Sequence, residues 1–149
     1  MRKIFDMISL DRIKIIDASD KNSALLEIVD LLAKADSVKD GAEVKKAIFD
    51  REKILSTSIG LGIAIPHVRL ESVTEMTIAI GVSKKGVDYD AFDDQLVHII
   101  IMIASPLGTH REYLSVLAKI ALLLKNSALR ESLLKAETPE DIHMALKGH

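Results

Sequence analysis

The stretch Met76-Thr77-Ile78-Ala79-Ile80-Gly81-Val82-Ser83 alternates branched apolar residues at 78, 80 and 82 with small residues between them, the period of two that belongs to a β-strand. Further on, Leu96 to Ala104 reads LVHIIIMIA, a nearly unbroken apolar run of the length expected for a strand buried on both faces. Between them Lys84-Lys85-Gly86 has the composition of a turn. Two such strands at the centre of a domain need helices to cover them.

Working outward, the flanks supply those helices. Ahead of the strands, Leu25, Ile28, Val29, Leu31 and Leu32 follow helical spacing over residues 23–35. Asp40 followed by Glu43 resembles a capping box, and Val44, Ala47, Ile48 and Ile54 keep one face apolar through a second helix ending near Leu55, with Arg51 in its last turn. The β-branched Ile13, Ile15 and Ile16 suggest a short strand over residues 12–17. After the strands, Tyr113, Val116, Leu117, Ile120 and Leu124 mark a long helix over 109–125, Leu129 to Leu134 a shorter one, and Thr138-Pro139-Glu140 the cap and first turn of a last one. Helices, then strands, then helices, without internal repeats or a low-complexity linker, predict an α/β layered single domain over residues 1–149, with a mixed central β-sheet flanked by helices.

Composition narrows the function. The 149 residues are 48% hydrophobic, enough for one core, and contain no cysteine, which excludes disulfides, thiolate metal sites and a cysteine nucleophile. Twenty-two acids against 20 bases give a formal charge of -2 with no basic tract, so nucleic acid is not an expected partner. The longest uninterrupted apolar run, Ile99 to Ala104, is too short to cross a bilayer, and the expectation is a cytoplasmic protein without direct membrane insertion.

The chemistry then falls to the five histidines, whose ordinary pKa of about 6.5 leaves a neutral, nucleophilic nitrogen at physiological pH. His67 lies near the end of the segment Ser56 to Arg69, STSIGLGIAIPHVR, in which two glycines, a β-branched run and Pro66 give extended, irregular chain and let backbone amides approach an anion. That context suits a covalently held phosphoryl group, and pattern alone leaves open an ordinary loop histidine after a proline. His110 falls in the first turn of the long helix, where the dipole favours an anion and a neutral ring. Arg51 either caps its own helix or swings onto a phosphate. His98 reads as a hydrogen-bonded sheet residue. Asp88, Asp90, Asp93 and Asp94 are dense but lack the glycine and terminal glutamate of a calcium loop, so a solvated turn is the expectation and no metal site is assigned.

Arg51-Glu52, the run Ser56 to Arg69, Val87-Asp88-Tyr89-Asp90-Ala91, Ser105-Pro106, and His110 ahead of Leu114-Ser115-Val116-Leu117-Ala118 together resemble the signature of phosphotransferase-system IIA type-2 domains, the fructose, mannitol and nitrogen-regulatory class. The resemblance covers nearly the whole chain. It implies that His67 is the phosphorylated histidine, that His110 is a second active-site histidine bonding or orienting it, and that Arg51 stabilises phosphate, with Ser56 and Thr57 lining the site. It further implies no metal or organic cofactor. The implied partners are the phosphocarrier HPr as donor and either a IIB domain or a regulatory protein as the next partner. Ser58 and Asp94 stand where the family often has glycine, and Leu107-Gly108-Thr109 is a short connection for the family, which bears on how closely His110 approaches His67.

Overall fold

The structure, a computed structural model, describes residues 3–149. Two short 3-10 turns, Ile4–Met7 and Leu10–Arg12, lead into β1 (Ile13–Ile15). Helices α1 (Lys21–Leu32) and α2 (Gly41–Ile54) follow, started by Asp20 and Asp40, whose carboxylates accept from the amides of Ser23 and Glu43. Next come β2 (Ser58–Gly60), β3 (Ile63–Ala64), β4 (His67–Arg69) and the two long strands β5 (Thr77–Val87) and β6 (Val97–Ser105). The chain closes with α3 (His110–Leu123), α4 (Ser127–Lys135) and α5 (Pro139–Ala145), the last capped by Thr138 with Pro139 at its start.

The sheet runs β1-β5-β6-β3-β2, with β5 and β6 antiparallel and β1 parallel to β5, so the expected mixed sheet is observed. Its two faces carry separate cores. Ile78, Ile80, Ile99, Ile101 and Ile103 meet Tyr113, Val116, Ile120 and Leu133 from the C-terminal helices. Ala79, Ile100, Met102 and Ala104 meet Leu25, Ile28, Leu32 and Ile48 from α1 and α2. Alternation along β6 therefore divides its side chains between two helical layers, and the whole strand is buried apart from a half-buried His98.

Two expectations are corrected. Lys84-Lys85-Gly86 is not a turn that ends the strand. It is a bulge inside β5, where pairing jumps from Val82–Ile99 to Val87–Val97 and Gly86, at φ 92°, donates its amide to Ser83 Oγ at 3.0 Å. A Cβ on Gly86 would lie 2.8 Å from Leu96, so the bulge needs a glycine. Second, the segment before His67 is more ordered than irregular chain: β3 and β4 lie end to end along β6, both parallel to it, with Ile63 opposite Ile99 and Arg69 opposite Ser105 at one constant offset. Pro66, which lacks an amide, sits at the break, and its carbonyl still accepts from the Ile103 amide at 2.9 Å.

Candidate functional site

His67 opens β4 immediately after that break. Strand alternation turns Val68 into the α1–α2 core and places His67 and Arg69 together on the α3 side of the sheet. The His67 ring stands beside Tyr113 of α3, centroids 5.7 Å apart and tilted by 59°. Its Nδ1 lies 2.6 Å from the Ile65 carbonyl, which can only accept, so Nδ1 carries a proton and in the neutral ring the lone pair is on Nε2.

Arg69 links the second histidine to this group. Its guanidinium carbon lies 5.1 Å above the Tyr113 ring, and Nη1 donates to His110 Nδ1 at 2.9 Å. Since the guanidinium only donates, His110 accepts with Nδ1 and is neutral in this arrangement. His110 is the first residue of α3, as its position in the sequence suggests, but it meets the site at one remove, through Arg69 and Tyr113. Burial pushes the Tyr113 phenol above its ordinary value, and the charges of Arg69 and Arg51 oppose that rise.

A cleft of about 420 Å³ brings His67 together with Arg51, Ser56 and Thr57, against an apolar wall from Leu117 and Ala121 of α3. Arg51 donates from Nη1 to the Leu55 carbonyl at 2.9 Å, closing the end of α2, and its side chain lines the cleft. One side chain thus caps the helix and presents charge to the cleft. Ser56 Oγ accepts from the Ser58 amide at 3.3 Å, holding the turn into β2.

Thr57 lines the cleft and is bonded behind it. Its hydroxyl donates to Glu52 Oε1 and its amide donates to Glu52 Oε2 at 3.3 Å, so both donors are committed to a buried carboxylate. The buried Glu52 carboxylate also accepts from the Tyr89 hydroxyl and from Lys21, each at 2.9 Å. Burial, then the Glu52 charge, holds the Tyr89 phenol far above its ordinary value, so Tyr89 remains a donor. Glu52, Lys21, Tyr89, Tyr113 and Arg69 were not assigned from sequence. Arg69 carried a readable signal, two residues beyond His67 on a strand, and Glu52 and Tyr89 lie in stretches that carry the family resemblance.

The acidic stretch at 88–94 is a turn, as expected: Asp90 and Asp94 sit at φ 58°, and Asp88 and Asp93 accept the amides two residues on. His98 donates Nδ1–H to the Ser83 carbonyl at 2.8 Å within the sheet. Among the described residues, no helix is long and apolar enough to cross a membrane.

The family model for the phosphoenolpyruvate-dependent sugar phosphotransferase system, EIIA 2, matches residues 6–149. The chain belongs to this family. It is 38% identical over 148 residues to the PTS system fructose-specific EIIABC component of Bacillus subtilis, spanning 99% of this chain and 23% of that much longer relative. Against the PTS system fructose-specific EIIA component of Haloferax volcanii, identity is 32%, over 85% of this chain and 82% of the relative. Among solved structures, the nitrogen regulatory protein IIA-Ntr from Neisseria meningitidis superimposes with a TM-score of 0.87 at 30% identity, covering 97% of this chain and 99% of that one. The α/β layering and mixed sheet are thus those of EIIA type-2 domains.

Proposed function

We propose that this EIIA type-2 domain is a phosphoryl carrier that accepts phosphate on Nε2 of His67 from an HPr-type phosphocarrier and passes it to a IIB domain. The observation that carries the reading is the Ile65 carbonyl, which occupies Nδ1–H and leaves Nε2 as the free nucleophile of a neutral ring. In the forward step the Nε2 lone pair bonds to phosphorus as the donor's phosphorus–nitrogen bond breaks, returning that electron pair to the donor imidazole. Arg51 shares the cleft with His67 and stabilises charge on the transferring oxygens; Arg69, held by His110, adds a second cation on the α3 side. Both reacting groups are histidine nitrogens, so the step needs no cofactor and runs in either direction.

The partner must reach the cleft over exposed apolar residues, Ile59 (44% exposed) and Leu61 (56%) on the β2–β3 hairpin and Phe92 (75%) against it, a surface suited to protein docking. The test is transfer of labelled phosphate from phosphoenolpyruvate through enzyme I and HPr. Acid-labile label on the intact protein, absent from His67→Ala, is the expected result; no label on folded intact protein from a competent HPr would overturn the reading.

The likeness to the Neisseria protein supports a second reading, in which phosphorylation of His67 switches a regulatory partner. About two negative charges added inside an apolar docking surface would repel or recruit such a partner. Offering the phosphorylated protein a IIB acceptor separates the two, because a dedicated switch keeps its label.

A further inference from the structure

We propose that the buried Glu52 carboxylate, backed by Lys21 and Tyr89, is a positioning group that holds His67 in its Nδ1–H tautomer; its consequence for transfer rests on the carrier reading above. Burying a carboxylate with an ammonium is seldom a gain in stability over apolar side chains of the same volume, so a satisfied buried network beside a reactive histidine calls for another role. Here the connection to that histidine is continuous. Glu52 fixes Thr57 through both its hydroxyl and its amide. The Thr57 carbonyl accepts the Ile65 amide at 3.1 Å, and the Ile65 carbonyl accepts His67 Nδ1–H at 2.6 Å.

Each link restrains the next. A neutral imidazole places its proton on either nitrogen, and the hydrogen bond made by one nitrogen decides the state of the other. Ile65 is followed by Pro66, which has no amide to pair, so the peptide bearing the deciding carbonyl is held from two sides, by the Thr57 carbonyl on the Ile65 amide and by the Ile103 amide on the Pro66 carbonyl, and Glu52 acts on the first of these. Lys21 lies 4.8 Å over the Tyr89 ring and 2.9 Å from Glu52, which fixes the carboxylate from the α1 side. Glu52 bonds Thr57, Tyr89 and Lys21 and not His67; it acts through the backbone. The same anchor holds the last turn of α2, from which Arg51 enters the cleft.

The tautomer is read directly in the ¹⁵N-labelled protein from long-range proton–nitrogen correlations of His67 above the ring's pKa. Intact protein should show a protonated Nδ1 and an unprotonated Nε2. Glu52→Gln and Thr57→Val, if positioning is lost, should shift His67 toward the Nε2–H form and slow labelling by HPr about tenfold or more. Thr57→Ser, which keeps the hydroxyl, should restore both. Tyr89→Phe removes a single donor and should give a smaller shift in the same direction, which keeps the test decisive should Glu52→Gln not fold. Folded variants whose His67 spectrum matches the intact protein would overturn the proposal. Because the spectrum needs no phosphoryl donor, a failure of intact protein to take label would remove the carrier reading alone.

Discussion

The two sides of β6 are built on opposite rules. On one side β5 pairs with it through an unbroken ladder from Thr77 to Val82, with every side chain over that stretch buried. On the other side β3 and β4 cover it in pieces, separated at Pro66 and preceded by a hairpin in which Gly60, Leu61 and Gly62 all take positive φ. The regular side contributes core and little else. The interrupted side contributes His67, Arg69, Thr57 and the Ile65 carbonyl, because a break in a ladder frees backbone groups and aims side chains that a continuous strand would commit to pairing and packing.

That contrast can be broken at graded strength. Ile100→Ala, in the fully buried centre of β6, should cost about 2–5 kcal/mol of stability in denaturant unfolding while leaving phosphoryl transfer intact where the protein is still folded. Arg51→Gln, in the cleft that the interrupted side builds around His67, should do the reverse, lowering the transfer rate about 10²-fold with a small change in melting temperature; equal effects on both would erase the distinction between core and site.

The Tyr89 phenol sharpens the comparison through pH. Its folded pKa lies above the ordinary 10.0, so the unfolded chain releases that proton first, and stability should fall as pH rises above 10. Tyr89→Phe should flatten this alkaline limb in pH-dependent melting curves. The smallest effect is expected at Asp94, a non-glycine residue at φ 58° in the turn before β6. Asp94→Gly should stabilise by no more than about 1 kcal/mol and leave transfer unchanged.

The regular side was also the legible one. Alternation at 78, 80 and 82 and the apolar run to Ala104 marked β5 and β6, while Asp40 with Glu43 and Thr138 with Pro139 located helix starts, since these signals lie within a few residues of one another. Strands of two and three residues have no period to read, so the alignment of β3 and β4 along β6 appeared only in the fold. The Lys-Lys-Gly bulge was misread because its composition is that of a turn and the contact that decides it, Gly86 against Leu96, comes from the neighbouring strand. Within the site, His67 and Arg51 are legible in local sequence, Ser56 and Thr57 only through the resemblance, and all four line one cleft. Glu52 and Tyr89 lie in stretches that carry the resemblance, but their meeting with Lys21 was out of reach, for the three come together only when α1, α2 and the loop after β5 close over one another.

The central claim is that the break at Pro66 presents Nε2 of His67, and no other atom, to the incoming phosphoryl group. It is tested most directly by phosphorylating the ¹⁵N-labelled protein through HPr and locating phosphorus from nitrogen–phosphorus couplings. Coupling to Nε2 of His67, with Nδ1 still protonated, is the predicted result. Phosphorus on Nδ1 of His67, or on another residue, would contradict the account.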